Sequence, residues 1–377
     1  MSQSIDLKYM DRAFALAESG RYTVSPNPMV GAVLVNGGRV VGEGFHRRAG
    51  GPHAEIHALR RAGARARGAD LYVTLEPCAH HGRTPPCADA LIKAGVRRVI
   101  VAARDPNPLV AGRGLRRLSR AGIRVLGSGR SGQRRAERQN EKFFTWIRQG
   151  RPFVLAKWAS SLDGKIATAQ GQSRWITGKE ARRRALLLRE EYDAVLVGAA
   201  TVTADNPRLT RRLGRHGTTS HRRIVLDGLL SASDKARLWR HPDGVLVVTA
   251  LAASHPKASR LARKGVEVWS FPAARAGEVD LRKFLKRLGR SGVTSLLIEG
   301  GGGAIWSFLR DGLVDRIYAF LAPRILGGSE AIAAVGGPGF SLTRTPTLAD
   351  LEVERVGSDF AVTGRLGTSR RPRIGAR

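Results

Sequence analysis

Thr74-Leu75-Glu76-Pro77-Cys78-Ala79-His80-His81-Gly82-Arg83-Thr84-Pro85-Pro86-Cys87 contains both cysteines of the chain. The apolar run 71–75 before it reads as a strand, and 88–94 after it reads as a helix closed by Gly95. Upstream, His53-Ala54-Glu55 opens another stretch of helical spacing, 54–62, which stops at Gly63. Two cysteines cannot build a disulfide scaffold. His53, Cys78 and Cys87 do form the donor set of a catalytic zinc ion, which keeps three protein ligands and leaves one position for water. Glu55, two residues beyond His53, is placed to carry a proton from that water to a ring nitrogen and a departing amine. Two alternatives stay open on the residues alone. One is a pair of buried thiols beside an unrelated histidine; the other is a closed structural zinc with His80 or His81 as fourth ligand. An H-E-x-x-H protease site is excluded by register, since Glu55 lies between His53 and His57, and His57 reads as a core or helix-surface histidine.

Outward from that segment, the first 150 residues alternate helices and strands. A helix is expected over 7–19, a hairpin over 30–35 and 40–44 about Gly37-Gly38, strands at 98–102 and 123–126, a helix at 114–119, and one polar helix over 132–149. Gly150-Arg151-Pro152 is the expected domain boundary. Strands follow at 152–159, 194–197, 223–227, 245–249, 266–270, 295–298, 316–321 and 353–356, with helices at 179–191, 281–288 and 304–309. Both parts therefore read as α/β, with domains at 1–150 and 151–368 and a basic tail at 369–377 expected to be disordered.

The chain has 377 residues and a net charge of +33. That length suits two domains, and 42% hydrophobic content suits large cores. No apolar run approaches the roughly 18 residues of a membrane helix, and the first residues lack a signal-peptide pattern. A cytoplasmic protein is expected. The charge is shared between the two parts, +15 in 1–150 and +18 in 151–377, which favours a solvated surface over a dedicated nucleic-acid face.

The second part carries no Rossmann fingerprint. Ile298-Glu299-Gly300-Gly301-Gly302-Gly303-Ala304 instead sets four glycines between a strand and a helix, where backbone N–H groups can meet a phosphate.

His-Ala-Glu, Thr74-Leu75-Glu76-Pro77-Cys78 and the nine-residue step from Cys78 to Cys87 resemble the deaminase half of the bifunctional riboflavin-biosynthesis deaminase/reductases. So do Pro26-Asn27-Pro28-Met29-Val30-Gly31, His46 and Asp105-Pro106-Asn107-Pro108-Leu109-Val110-Ala111-Gly112. Nucleic-acid and cytidine deaminases of the same superfamily separate their cysteines by only two residues. Lys157-Trp158-Ala159-Ser160-Ser161-Leu162-Asp163-Gly164-Lys165, Ser173-Arg174-Trp175-Ile176-Thr177 and Val197-Gly198-Ala199-Ala200-Thr201 through Thr210 resemble the reductase half, which is similar to dihydrofolate reductase. The resemblance thins over 211–220 and after Gly328.

What the resemblance implies is a cytidine-deaminase-like α/β/α domain followed by a dihydrofolate-reductase-like α/β domain. The first would remove an exocyclic amine from a phosphoribosylated pyrimidine with one Zn²⁺ held by His53, Cys78 and Cys87 and with Glu55 as proton carrier. His80, His81, Arg83 and Thr84 would contact that substrate. The second would reduce the ribosyl side chain to ribityl with NADPH. Ala159, Trp175, Thr201, Asp205, Gly301, Gly302, Gly303, Ala304, Ile305, Trp306 and Ser307 would contact the dinucleotide. Ser173, Arg189, Leu209, Arg212 and Glu299 would contact substrate, with Lys157 and Asp163 near the ribose being reduced; Arg208 and Arg211 compete with Arg212. A homo-oligomer is expected, with anionic small molecules rather than nucleic acid or membrane as partners. The competing readings are a tRNA-type base deaminase with an accessory domain, and a zinc-bearing RNA-binding protein without catalysis.

Overall fold

The computed structural model describes residues 2–79, 85–108, 110–214, 221–273, 275 and 277–367, with the side chains of 2–6 outside that description. The expectations for His80, His81, Arg83, Thr84 and the 369–377 tail therefore lie outside the described residues. The chain forms two compact units, Met1–Gly150 and Arg151–Arg377.

In the first unit the order is α1 (Ser2–Glu18), β1 (Gly31–Asn36), β2 (Arg39–Phe45), α2 (Ala54–Ala62), β3 (Asp70–Leu75), α3 (Cys87–Ala94), β4 (Arg98–Ala103), α4 (Arg113–Arg120), β5 (Arg124–Gly127), α5 (Gly129–Gln139) and α6 (Glu141–Gln149). Asn36 pairs with Arg39 across Gly37 and Gly38, both at positive φ, so the hairpin needs glycines at its two-residue turn. The sheet order is β2-β1-β3-β4-β5, antiparallel around β1 and parallel from β3 to β5. Alternating side chains divide between two faces. Leu34, Leu71, Val73 and Val99 pack with Ala54 and Ala58 of α2, Leu91 of α3 and Leu118 of α4. Val33, Tyr72 and Ile100 pack with Phe14 of α1, Ala136 of α5 and Phe143 and Phe144 of α6. The result is an α/β/α sandwich.

The single polar helix expected over 132–149 is two helices. The break falls at Asn140 (φ −113°, ψ 27°), whose buried carboxamide accepts from Met29 N at 2.7 Å and donates to Met29 O at 2.9 Å. A helical period continues across the residue, so only this tertiary pairing reveals the interruption.

The second unit runs β6 (Phe153–Ser161), β7 (Lys165–Ala167), α7 (Lys179–Glu191), β8 (Ala194–Gly198), α8 (Ala199–Asp205), β9 (Arg222–Leu226), β10 (Val245–Thr249), α9 (Pro256–Arg263), β11 (Glu267–Ser270), α10 (Leu281–Arg290), β12 (Ser295–Glu299), α11 (Gly302–Arg310), β13 (Arg316–Ala322), β14 (Ile332–Ala333), β15 (Leu348–Val356) and β16 (Asp359–Leu366). Nine strands form one sheet, β11-β10-β9-β8-β12-β6-β13-β16-β15, parallel up to β13 and antiparallel in the last two. Its parallel strands are continuous apolar runs because helices cover both faces. Leu188 of α7 and Leu261 of α9 pack on Leu155, Val195 and Val197; Phe284 of α10 and Ile305 and Phe308 of α11 pack on Val154, Leu196 and Leu296. Helices α8 and α9 and strands β7, β14 and β16 are additions to the sequence expectation. No helix among the described residues is long and apolar enough to cross a membrane.

Candidate active sites

The first site gathers at two helix starts. His53 is the N-cap of α2 in extended conformation, with no capping bond, so its ring is free to turn inward. Cys87 is the first residue of α3, and its backbone N–H donates to Cys78 Sγ at 3.3 Å. Helix starts present uncompensated N–H groups and favour thiolate. His53 Nδ1 lies 3.2 Å from Cys87 Sγ and 3.6 Å from Cys78 Sγ, and all three donor atoms fall within 4.8 Å of one another. Tetrahedral zinc with bonds of about 2.1 Å to nitrogen and 2.3 Å to sulfur requires N···S edges of about 3.5 Å, so the donor set fits.

The donors of this cluster shift one another's proton affinity. A hydrogen bond from Cys87, then one with His53, outweighs burial and holds the Cys78 thiol down at about 4. The bond to Cys78 raises His53 to about 9, and the same thiol pair followed by burial pushes Cys87 upward. Glu55, in the first turn of α2, is buried, and burial raises its carboxyl. Beneath the site, Glu76 accepts from the N–H groups of Gly112 (2.9 Å) and Gly114 (3.1 Å), tying the Cys78 strand exit to the start of α4. His46, hydrogen-bonded to Asn27 at 3.0 Å and Pro52 O at 3.1 Å, packs edge-on to His53.

The second site is a cleft of about 1330 Å³ where β6, β8 and β12 end. Typical small-ligand pockets hold about 300–1,000 Å³, so this one has room for a dinucleotide and a second molecule. Its floor is charged. Glu299, at the end of β12 and with its side chain about nine-tenths buried, accepts from Arg189 Nη2 at 2.6 Å and Nε at 3.0 Å, and Lys157 Nζ stands 3.6 Å away. Burial opposes ionisation of Glu299, but the charges of Arg189 and Lys157 outweigh it and hold the carboxyl below the usual carboxylate range. Beside it, Gly300 and Gly301 lead into α11 at positive φ. A Cβ at Gly301 would stand 2.8 Å from Thr201 Oγ1, and one at Gly302 would stand 2.8 Å from Ala333 O. Gly300, Gly301, Gly302 and Gly303 line the cleft at the start of α11, and a helix start, with its unpaired backbone N–H groups, is what a pyrophosphate needs.

Of the residues expected here, Lys157, Ala159, Ser173, Trp175, Arg189, Thr201, Asp205, Leu209, Arg212, Glu299, Gly301, Gly302, Gly303, Ala304 and Ser307 line the cleft. Three do not. Asp163 is on the exposed β6–β7 turn, its two oxygens accepting from Leu326 N and Gly327 N. Ile305 is in the core, and Trp306 stacks on Phe340, because a helix presents only one side to the cleft. Trp175 is 64% exposed, with Arg182 4.4 Å from its ring centre. Arg208 and Arg212 both border the cleft, whereas Arg211 turns away to Tyr192 O at 2.7 Å. Arg237, Glu278 and the 332–336 segment also line it and were not anticipated. The 332–336 segment arrives through β14 pairing with β7 and Gly336 N bonding Gly302 O at 3.0 Å, and carries no local motif.

Buried His221 donates from Nε2 to Leu209 O at 2.7 Å, which fixes the left-handed Leu209 (φ 53°) at the cleft wall. Burial, then the charge of Arg211, lowers its pKa from 6.5 to about 4. Between those values the unfolded chain binds the extra proton, so stability rises with pH; His221's share is intact above about 6.5 and lost as pH falls toward 4. His221→Gln should therefore flatten the acid side of the second unit's stability profile by on the order of 2 kcal/mol between pH 7 and 4.5. Denaturation midpoints followed by tryptophan fluorescence test this, five of the six tryptophans lying in that unit. An unchanged pH slope would refute it.

The two sites are those of a two-part enzyme, one unit with a His/Cys/Cys donor triad of the zinc type and one with a glycine-turn cleft. The family profile "Cytidine and deoxycytidylate deaminase zinc-binding region" matches residues 3–103, and "RibD C-terminal domain" matches 152–362. The riboflavin biosynthesis protein RibD of Aquifex aeolicus is 42% identical over 96% of this chain and 99% of its own length; that of Escherichia coli is 42% identical over 95% and 98%. The crystal structure of the deaminase/reductase from Thermotoga maritima is similar with TM-score 0.84 and 36% identity, over 97% of this chain and 100% of that one. Acinetobacter baumannii RibD gives 0.84 and 36%, over 97% and 99%. The chain belongs to the RibD family of riboflavin biosynthesis proteins. It is a bifunctional enzyme, a zinc deaminase followed by an NADPH-dependent reductase, acting on phosphoribosyl pyrimidines; the tRNA-type deaminase reading falls away.

Proposed function

We propose that the first unit deaminates 2,5-diamino-6-(5-phosphoribosylamino)pyrimidin-4-one and the second reduces the ribosyl chain of 5-amino-6-(5-phosphoribosylamino)uracil, one product feeding the next reaction. The observation that carries this reading is a zinc donor triad and a glycine-turn cleft in successive units of one chain.

His53, Cys78 and Cys87 would hold zinc, whose chemistry when bound would be to lower the pKa of a water. The chain's own part is proton traffic. Glu55 lies on the same first turn of α2 as the ligand His53, buried against Cys87, and passes protons to the ring nitrogen and then to the leaving amine. In the second unit NADPH supplies hydride. Gly301, Gly302 and Gly303 would receive its pyrophosphate, and Trp175, Thr201 and Asp205, which also line the cleft, would flank it. Lys157, Arg189 and Glu299 form a preorganised polar floor for the ribose of the substrate, and Arg208 and Arg212 stand at the rim for its phosphate. Positive charge around the cleft suits two anionic ligands, and neither reaction needs nucleic acid. A reducing cytoplasm keeps the two thiol ligands available. The apolar strip of Leu351, Val353 and Phe360 exposed on the β15–β16 hairpin suits a homo-oligomer contact.

Coupled turnover tests the pair of activities: ammonia release from the diaminopyrimidinone ribotide followed by NADPH oxidation, with a single protein. Cys87→Ala should lose both bound zinc and ammonia release while NADPH oxidation on the uracil ribotide persists. Deamination surviving that change would show the metal assignment to be wrong.

A further inference from the structure

Charge is shared evenly between the two units but not within the first. From residue 106 to 136 the chain has no acidic residue and eight arginines, the longest acid-free run in the sequence. These arginines supply more than half of the net +15 of residues 1–150. The run folds into α4, β5 and α5 at the edge of the five-stranded sheet, where β5, the last strand, has β4 as its only neighbour among the described residues. Val125 points to the core beneath α4 and Leu126 to the core beneath α5, so the two helices flank the edge from opposite faces. On α4, Leu118 is buried and Arg113, Arg116, Arg117 and Arg120 share the exposed side, at i, i+3, i+4 and i+7. Arg124 on β5 and Arg130 and Arg134 on α5 are exposed as well.

Two members of the group are neutralised, Arg117 by Asp89 at 2.6 Å and Arg135 by Asp11. Arg113, Arg116, Arg120, Arg124, Arg130 and Arg134 have no ion pair among the described residues. Six guanidinium groups without an ion pair among the described residues thus flank one edge of the sheet, and none of them was assigned to either reaction. Guanidinium forks match phosphate oxygens. The segment exposes no large apolar side chain among its described residues, which argues against membrane insertion and against a protein partner needing an apolar anchor. It contains no aromatic residue on which an unpaired base would stack.

We propose that the α4–β5–α5 edge of the first unit docks the phosphate backbone of a nucleic-acid duplex without reading its sequence. Each phosphate contact releases condensed counterions, so affinity falls steeply with salt.

The test titrates the full chain against a fluorescent duplex DNA of about 20 base pairs at rising salt, beside a single strand of equal length and phosphatidylserine vesicles. The expected result is duplex binding with a slope of log K on log salt of about −4 or steeper. R116Q/R120Q/R124Q/R134Q should weaken duplex binding by more than about tenfold at low salt and make the slope shallower by about 3, with both turnover reactions unchanged as proof of folding. A control of equal charge, R240Q/R263Q/R290Q/R344Q in the second unit, should change affinity by less than about twofold. Equal losses in the two quadruple variants would overturn the proposal in favour of diffuse charge. Absence of duplex binding at low salt, tighter binding of the single strand, or vesicle binding through the same arginines without duplex binding would overturn it too.

Discussion

Glu55→Gln is expected to retain zinc and to lose deamination by about 10³–10⁴-fold, with reductase turnover unchanged. The carboxylate is buried on the first turn of α2, two residues beyond the ligand His53 and next to Cys87. Glutamine keeps the volume and one acceptor oxygen but cannot take up and release a proton, so the variant separates shape from proton transfer. Metal analysis should show the wild-type zinc content, because Glu55 is not one of the three donors that converge within 4.8 Å. Loss of zinc together with activity would mean that Glu55 maintains the donor set instead. Normal ammonia release would remove it from the mechanism altogether.

Glu299→Gln should nearly abolish NADPH oxidation and destabilise the second unit by about 3–5 kcal/mol, leaving deamination intact. The carboxylate is the counter-charge for Arg189 and Lys157, at 2.6 Å and 3.6 Å, and each partner side chain is close to nine-tenths buried. Removing one member leaves uncompensated charge in a low-dielectric floor, which costs more than the pair itself contributes. A second variant separates stability from chemistry. E299Q/R189M removes the stranded guanidinium and should recover much of the stability, yet it should not recover turnover, since the polar floor is still dismantled. If the double variant regains both, the Glu299–Arg189 pair only supports the fold; if E299Q alone stays stable and active, the pair has neither role.

Local reading went furthest where chemistry is written in adjacent residues. The Cys78–Cys87 segment flanked by a strand and a helix, and His53-Ala54-Glu55 at a helix start, were legible because a metal needs particular donors and helix starts have capping patterns. The glycine turn 300–303 was legible for a similar reason, because close backbone approach excludes side chains. The polar helix over 132–149 was misread because hydrophobic period alone cannot show that Asn140 is taken by the backbone of Met29. Ile305 and Trp306 were assigned with their neighbours as one contiguous segment, but a helix of period 3.6 turns them into the core and toward Phe340. Asp163 followed the motif around it, although its carboxylate is spent on Leu326 and Gly327.

The sequence by itself determined the two α/β units, the break at Gly150-Arg151-Pro152, a His/Cys/Cys donor set and the glycine turn, since each depends on residue type at short spacing. Tertiary structure alone decided which arginine among Arg208, Arg211 and Arg212 turns from the cleft, and how Ile332–Ala333 closes on Gly302 through β7. It also decided that Glu299, Arg189 and Lys157 meet as one buried charge cluster, and that eight arginines from two helices and a strand gather at one sheet edge. Those outcomes depend on contacts between residues far apart in the chain, where burial and charge pairing, rather than local spacing, select the arrangement.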